Sequence, residues 1–245
     1  MATIECRGVK FPNIEAIIFD KDGTLEDTAD FLRNKGQKRA RMIDAQVPGV
    51  GEPLLMAYGI ESGKLDPTGL MAVGSRRENE IASAAYVAET GRGWLESLAI
   101  VRRAFDEADG ALKDYSPSPI FTGTKEVLKF LADGGLKLGI LSADTTENVR
   151  KFVCHYELEP YIQLQMGVDA GVSKPDPSLF LATCRTLAVE PSSALMVGDS
   201  PMDIQMARNA QAAGCIGICW GKSAASHLQG ADVIISQLNE IFIVS

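Results

Sequence analysis

The stretch Ile14-Glu15-Ala16-Ile17-Ile18-Phe19-Asp20-Lys21-Asp22-Gly23-Thr24 decides the fold of this chain. Its apolar part, Ile14–Phe19, has the length and character of a strand buried on both faces, as in a parallel sheet. The run ends abruptly in two carboxylates, Asp20 and Asp22, and Gly23 then turns the chain. Because ligands bind beyond the carboxyl ends of the strands in open α/β sheets, we expect a functional site at this point.

Short apolar runs of strand length recur along the chain and predict an α/β fold with a doubly wound parallel sheet. These runs are Ile14–Phe19, Leu136–Leu141, Ile162–Met166, Ala194–Val197, Cys215–Trp220 and Val233–Ile235. Helical patterns lie between them, at Thr124–Ala132, Thr146–Tyr156 and Ser178–Leu187. Alternation of strands and helices is typical of a sheet covered by helices on both faces.

The segment between Asp27 and Ser116 is different, because it contains no convincing strand. Helices are predicted at Asp30–Gln46, at Arg76–Thr90 and along the apolar seam Trp94, Leu98, Val101, Phe105, Ala108 and Leu112. The stretch Pro48–Gly74 has no assignment, and Ser116-Pro117-Ser118-Pro119 is typical of a linker. We therefore predict a Rossmann-like α/β core made of residues 1–26 and 117–245, with an α-helical domain inserted at residues 27–116.

Composition limits the classes of function that are open to the chain. It has 245 residues, of which 46% are hydrophobic, enough for a sizeable core. The formal net charge of −8 argues against nucleic acid and anionic membranes as partners. A small anion can still bind where a local cation outweighs the overall field. No segment resembles a signal peptide or a membrane span, so we expect a cytoplasmic protein, whose oligomeric state the sequence does not indicate.

Two further polar points suit the binding of an anion. Ser142 and Ala143 follow the run Leu136–Leu141, where a hydroxyl and backbone N–H groups can donate to phosphate oxygens. The alternative for Ser142 is a helix N-cap. Lys174 precedes Pro175 and Pro177, which restrict its backbone, and a fixed ammonium neutralises negative charge on a phosphoryl group. The alternative for Lys174 is a solvated surface residue.

A second pair of acids follows the run Ala194–Val197. Asp199 comes directly after Gly198, and Asp203 comes four residues later, so both can face one centre across the turn that begins a helix. The alternative for Asp203 is favourable charge at a helix N-terminus. All four polar points would lie at the same edge of one sheet, and together they favour a site for a phosphate and a cation.

The order of these motifs resembles that of the haloacid dehalogenase superfamily. The motifs are Asp20-x-Asp22-Gly23-Thr24, Ser142, Lys174-Pro175-x-Pro177 and Gly198-Asp199-x-x-x-Asp203. The resemblance covers residues 12–29 and 117–236. The long helical insertion after the first motif resembles the cap of subfamily I, which includes phosphoglycolate phosphatases and β-phosphoglucomutases.

The resemblance implies a role for each motif. Asp20 would attack phosphorus and become an aspartyl-phosphate, and Asp22 would protonate the leaving alcohol and then activate water. Ser142, Ala143 and Lys174 would bind the phosphoryl group. A Mg²⁺ cofactor would be held by Asp20, Asp199 and the main-chain carbonyl of Asp22, with Asp203 ligating the ion or orienting its ligands.

These roles imply a Mg²⁺-dependent phosphatase that acts on a small phosphorylated metabolite. The alternatives are a phosphomutase of the β-phosphoglucomutase type and a non-catalytic phosphate-binding module. The acid at Asp22 argues against dehalogenases and phosphonatases, which lack it.

Structural or surface positions, without a role in the chemistry, are expected of several other side chains. Lys21 is expected to be exposed and to point away from the site, as strand alternation suggests. A solvated helix face, rather than a set of anchors for a substrate, is expected of three arginines, which are Arg76, Arg77 and Arg92. Structural or surface positions are expected of both histidines, which are His155 and His227. Core packing is expected of two cysteines, which are Cys215 and Cys219.

Overall fold

A computed structural model of the chain describes residues 1–112, 118–169, 171–220 and 225–244. It divides into two compact units, of which the first comprises Met1–Asp27 and Pro119–Ser245 and the second Thr28–Ser118. The first unit holds the large sheet, and the second is mainly helical. Ser116 and Pro117 of the predicted linker lie outside the described residues. No described helix combines the length and the apolar character that a membrane span requires.

The strands are β1 (Ala2–Cys6), β2 (Val9–Ile14), β3 (Ala16–Phe19), β4 (Ile60–Glu61), β5 (Lys64–Leu65), β6 (Lys137–Leu141), β7 (Leu164–Met166), β8 (Ala194–Gly198), β9 (Gly214–Ile218), β10 (Val233–Ile235) and β11 (Phe242–Val244). The helices are α1 (Ala29–Asp44), α2 (Gly51–Ala57), α3 (Leu70–Val73), α4 (Arg76–Glu89), α5 (Trp94–Gly110), α6 (Thr124–Asp133), α7 (Thr146–His155), α8 (Pro177–Leu187) and α9 (Pro201–Asn209).

The large sheet of the first unit is parallel and has the strand order β10-β9-β8-β3-β6-β7. Strand β3 is central, and its last residue, Phe19, lies opposite Ile140 of β6 and Val197 of β8. The chain order reverses on the two sides of β3, so its carboxyl end is a topological switch point, where open α/β sheets bind ligands. The predicted α/β fold with a parallel sheet is confirmed.

Helices cover both faces of this sheet, and the alternation of side chains along β3 explains why. Ile17 and Phe19 join one apolar cluster with residues of α6 and α7. Ala16 and Ile18 point to the other face and join a second cluster with residues of α8 and α9. Successive side chains of a strand point to opposite faces, so a strand that is apolar throughout requires cover on both.

Some predicted boundaries and one small sheet differ from the sequence-based expectation. The run Ile14–Phe19 is divided between the end of β2 and the whole of β3, and the run Cys215–Trp220 forms a strand only over Gly214–Ile218. Cys215 is buried in that strand as predicted, and Cys219 beyond it is half-buried and packs against the same apolar cluster. Strands β1 and β2 were not predicted. They pair antiparallel with each other, and β1 pairs with β11 near the end of the chain.

The second unit is built around one apolar cluster to which α1, α2, α4 and α5 contribute. The seam predicted along α5 lies in this cluster, with Val101 and Phe105 fully buried. The prediction that the segment has no strand is wrong in one detail, because β4 and β5 form a short antiparallel hairpin. Helices α2 and α3 occupy the stretch that had no assignment.

An ion-pair group inside the second unit contains Arg76. Its guanidinium contacts Glu80 at 2.8 Å, Asp106 at 2.6 Å and Asp109 at 2.9 Å. Arg76 is therefore partly solvated, as expected of a helix face, but its guanidinium is also paired with acids of α4 and α5.

Arg77 and Arg92, for which a solvated helix face was also expected, have fewer neighbours of opposite charge than Arg76. Arg77 is exposed, as expected. Arg92 is half-buried, and its Nε lies 3.8 Å from Oε1 of Glu96 on the next helix.

Candidate active site

The site lies beyond the carboxyl ends of three neighbouring strands of the first unit. Asp20 follows β3, Ser142 follows β6, and Asp199 follows β8. Lys174 approaches from the loop before α8, and Asp203 belongs to the first turn of α9. The structure thus brings together at one sheet edge the residues that the motifs single out.

Lys174 joins two of the acids directly. Its Nζ lies 2.6 Å from Oδ1 of Asp20 and 2.7 Å from Oδ1 of Asp203, and all three side chains are buried. Burial by itself would lower the pKa of Lys174, but the two neighbouring carboxylates outweigh it and raise this pKa. The ammonium therefore remains charged. The alternative of a solvated surface lysine is wrong, because the side chain is buried and its ammonium contacts two buried carboxylates.

Three carboxylates form a compact cluster. Oxygen atoms of Asp20, Asp199 and Asp203 all lie within 4.8 Å of one another. Burial raises the pKa of Asp20 to about 7, with Lys174 opposing the shift and Asp203 and Asp22 adding to it. The pKa of Asp199 is raised well above its ordinary value, first by burial and then by repulsion from Asp20. When all three carboxylates are ionised, the cluster has more negative charge than Lys174 alone can neutralise.

The geometry of this cluster fits a hard divalent cation. All its ligand atoms are oxygens, as Mg²⁺ prefers. Among the described residues, no side chain donates a hydrogen bond to the Asp199 carboxylate, so this group is available to a ligand. Gly23 leaves room for it. A Cβ at residue 23 would lie 2.0 Å from Oδ2 of Asp199, and the φ angle of Gly23 is +77°. The residues present therefore fit Mg²⁺.

Asp203 is fixed from two sides. Its Oδ1 accepts from Lys174, and its Oδ2 accepts from the hydroxyl of Ser200 at 2.7 Å. Ser200 and Asp203 form a capping box at the start of α9, in which each satisfies a backbone N–H of the other. The interpretation of Asp203 as an acid at a helix N-terminus is therefore confirmed, and the same carboxylate also accepts a hydrogen bond from Lys174.

The carboxylate of Asp22 lies outside the three-acid cluster. Its Oδ2 accepts a hydrogen bond from the hydroxyl of Ser142 at 3.2 Å. The same hydroxyl accepts from the N–H of Asp144 at 3.0 Å, as an N-cap-like group does. The N–H of Ala143 makes no hydrogen bond within the described part of the chain and is available to an anion. Any contact of Asp22 with a metal would come from its main-chain carbonyl, as the family resemblance implies.

The expectation for Lys21 is wrong. Its side chain is only 5% exposed, and its Nζ lies 2.7 Å from Oδ1 of Asp22 and 2.9 Å from Oε2 of Glu26. The expectation assumed that strand alternation continues beyond Phe19. Instead the chain turns at once, because the N–H groups of Leu25 and Glu26 donate to the Lys21 carbonyl. This turn folds Glu26 back onto Lys21.

Two residues near the site carried no sequence signal. Glu26 is buried beside Lys21, and burial raises its pKa while Lys21 opposes the shift. His227 lies in a short 3₁₀ turn, and its Nε2 is 3.2 Å from the carbonyl oxygen of Asp199. His227 therefore has a structural role, as expected, because it contacts the main chain of Asp199, an acid of the cluster.

The other histidine lies at the surface, as expected. His155 is exposed at the end of α7 and packs edge-on against the ring of Tyr156.

Comparison with known proteins gives concordant matches over most of the chain. The family model of the haloacid dehalogenase-like hydrolases matches residues 14–211. Phosphoglycolate phosphatase of Escherichia coli K12 is 26% identical over 238 residues, which cover 95% of this chain and 92% of that protein. N-acetylmuramic acid 6-phosphate phosphatase of Pseudomonas putida KT2440 is 28% identical over 199 residues, covering 80% of this chain and 79% of that protein.

Solved structures share the fold. The crystal structure of a predicted phosphoglycolate phosphatase from Haemophilus somnus superposes with a TM-score of 0.66 and 21% sequence identity. The superposition covers 92% of this chain and 95% of that one.

Proposed function

This chain belongs to the haloacid dehalogenase-like hydrolase family, and we propose that it is a Mg²⁺-dependent phosphatase that hydrolyses a small phosphate monoester through an aspartyl-phosphate on Asp20. The main support for the proposal is the arrangement of charged side chains around Asp20. A buried carboxylate, a fixed ammonium and a cluster of acids suited to a cation meet at a switch point of the sheet. A second carboxylate, Asp22, lies two residues away with its own hydrogen bonds.

Asp20 is suited to the role of nucleophile. An ionised carboxylate attacks without a base to deprotonate it, and it splits one difficult substitution into two easier steps. In the first step an Asp20 oxygen forms a bond to phosphorus while the bond from phosphorus to the ester oxygen breaks. In the second step, water attacks the same phosphorus and releases inorganic phosphate and free Asp20.

Asp22 would handle the proton in both steps. It gives a proton to the leaving ester oxygen and then takes one from the attacking water, so the carboxyl returns to its starting state. General acid–base help of this kind contributes about 10²–10⁴-fold to the rate. The hydroxyl of Ser142, the N–H of Ala143 and the ammonium of Lys174 would bind the phosphoryl oxygens, whose charge is the main obstacle to the transfer.

The acid cluster would hold Mg²⁺, with Asp20 and Asp199 as the carboxylate ligands and Asp203 as the residue that orients them. When bound, the ion neutralises charge on the phosphoryl group and on the crowded carboxylates. Asp199 is suited to this role because no described side chain donates to its carboxylate.

The relatives described above support a phosphate monoester as the substrate class. Both curated relatives are phosphatases, one named for phosphoglycolate and one for N-acetylmuramic acid 6-phosphate. The phosphomutase alternative is therefore not favoured. A non-catalytic binding module would not need a hydrogen-bonded acid at Asp22.

Phosphate release by the purified protein tests this proposal. A panel of monoesters that includes 2-phosphoglycolate and N-acetylmuramic acid 6-phosphate would be incubated with Mg²⁺ or with a chelator. We expect release that requires Mg²⁺ and that is lost in Asp20→Asn. Asp133→Asn, which changes an exposed acid paired with Lys129, is the matched control and should keep full activity. Equal release with chelator, or near-normal activity of Asp20→Asn, would contradict the proposal.

A further inference from the structure

The side chain of Lys21 is buried directly beside the catalytic apparatus, although the proposed chemistry assigns it no role. Its side chain is 5% exposed and its ammonium contacts three carboxylates. Oδ1 of Asp22 lies at 2.7 Å, Oε2 of Glu26 at 2.9 Å and Oδ2 of Asp144 at 3.5 Å. The ring of Phe152 lies under the ammonium, with its centroid 5.9 Å away.

Main-chain hydrogen bonds fold the segment from Lys21 to Glu26 into a turn. The carbonyl of Lys21 accepts hydrogen bonds from the N–H groups of Leu25 and Glu26, and the N–H of Gly23 donates to the Glu26 carbonyl. Glu26 also bridges to Ile120 on the returning chain. Glu26 is therefore held in place by the main chain, and Lys21 is held by Glu26. Among Lys21, Glu26 and Asp22, the side chain of Asp22 is the most exposed, at 20%, and it is the one that faces the site.

We infer that Lys21 is a positioning residue, whose ammonium, held by Glu26, fixes the Asp22 carboxylate in the orientation that proton transfer to the leaving alcohol requires. This inference rests on the proposed function, because it assigns a support to the acid of that reaction. Lys21 binds Oδ1 of Asp22, whereas Ser142 binds Oδ2. When the Ser142 hydroxyl turns to a phosphoryl oxygen, Oδ2 is released toward the ester while Oδ1 stays on Lys21.

The step balances without any further reactant. The proton on Oδ2 of Asp22 passes to the ester oxygen as the bond from phosphorus to that oxygen breaks, and the bonding electrons leave with the alcohol. Asp22 is left as a carboxylate. The water that attacks in the second step returns the proton.

The competing explanation is that Lys21 only neutralises buried Glu26. The two explanations predict different rates for substrates whose leaving groups differ in their need for a proton. An alkyl phosphate releases an alkoxide unless it receives a proton, whereas p-nitrophenyl phosphate releases a phenolate that needs none. A misplaced Asp22 therefore slows the first reaction much more than the second. A general loss of structure slows both alike.

The experiment compares kcat/KM for the best alkyl phosphate of the panel and for p-nitrophenyl phosphate, because this ratio reports on the first transfer. In Lys21→Met we expect kcat/KM for the alkyl ester to fall about tenfold or more beyond the fall for the aryl ester. Binding of inorganic phosphate with Mg²⁺, measured by calorimetry, should stay within about twofold of the wild type. Lys129→Met, which breaks an exposed ion pair, is the matched control and should change neither ester.

A second variant distinguishes the positioning of Asp22 by Lys21 from the neutralisation of Glu26 by Lys21. Lys21→Met leaves Glu26 buried without its cation and lowers the melting temperature, whereas Lys21→Met combined with Glu26→Gln removes both charges. We expect this double variant to regain most of the melting temperature while the selective loss on the alkyl ester persists. Equal losses on both esters, or recovery of the alkyl reaction in the double variant, would overturn the inference and leave the proposed function standing. A wild-type protein inactive on both esters with Mg²⁺ would overturn the proposed function, and the inference with it.

Discussion

Gly23 meets two requirements that no other residue type can satisfy together. Its φ angle of +77° lies in the left-handed region, and a Cβ there would lie 2.0 Å from Oδ2 of Asp199. The Asp-Gly pair is a common turn signal, so its presence alone indicated only a turn. The structure adds that the missing side chain makes room for an acid of the proposed metal site.

Replacement of Gly23 by alanine should therefore weaken metal binding. We expect Gly23→Ala to raise the half-saturating Mg²⁺ concentration about tenfold or more, as disturbance of metal-site support does. Gly135→Ala is the matched control, because Gly135 has a φ angle of +83° and a Cβ added to it would meet nothing within 4 Å. Both variants should lose about 1–2 kcal/mol of unfolding free energy from backbone strain. Equal Mg²⁺ titrations for the two would contradict the steric argument.

The burial of Lys21 could not be predicted from the sequence, whereas the motif residues could. Asp20, Ser142, Lys174 and Asp199 could be selected from the sequence because each follows an apolar strand or is braced by prolines. Lys21 could not, because its burial depends on a turn whose hydrogen bonds run to its own carbonyl. The residue that holds it, Glu26, has no local signal either, since an acid after a Gly-Thr turn is ordinarily solvated.

Among the elements, α9 connects local folding to the site. Its capping box joins Ser200 to Asp203, and Asp203 in turn contacts Lys174. Helix α4 of the second unit begins with the same device, formed by Ser75 and Glu78. The two helices therefore offer a matched pair of caps, of which the one on α9 contributes an acid to the candidate site.

We expect Ser200→Ala and Ser75→Ala to lose similar stability, about 1 kcal/mol each, because each removes one N-cap. Only Ser200→Ala should also lower kcat/KM, by about tenfold, since Asp203 loses a hydrogen bond that orients it. Urea unfolding measures the first quantity and steady-state kinetics the second. Unchanged kinetics in Ser200→Ala would show that Lys174 alone is enough to hold Asp203.

The elements also differ in how well they could be predicted. The strands of the large parallel sheet are continuous apolar runs, so their existence could be predicted from the local sequence pattern. The sheet β11-β1-β2 could not be predicted in the same way, because β1 pairs with β11 at the opposite end of the chain. Strand β11 has only three residues, and Pro12 interrupts the apolar pattern of β2. Short strands that pair with distant parts of the chain have no local sequence pattern from which the pairing could be predicted.

For the molecule as a whole, the cluster of buried acids links stability to pH and to metal. Burial raises the pKa of Asp20 to about 7, far above its value in an unfolded chain. Between about pH 4 and pH 7 the folded state therefore binds more protons than the unfolded state. By linkage, the contribution of Asp20 to stability falls as the pH rises through this window, in the metal-free protein.

We therefore expect Mg²⁺ to raise the melting temperature more at pH 8 than at pH 5, because the ion and the protons compete for the same carboxylates. Thermal unfolding at both pH values, with Mg²⁺ and with chelator, measures the effect. Asp20→Asn, which cannot ionise at this position, should lose much of the pH dependence. An equal Mg²⁺ shift at the two pH values would contradict the linkage.

In the proposed mechanism, Asp20 carries the phosphoryl group during turnover. The most direct measurement mixes the protein with Mg²⁺ and its best substrate, quenches the reaction in acid within milliseconds to seconds, and maps phosphorylated peptides by mass spectrometry. We expect a phosphorylated peptide whose modified residue is Asp20, and we expect no such peptide from Asp20→Asn. Turnover with no phosphorylated Asp20 at any quench time, or with the phosphoryl group on another residue, would contradict it.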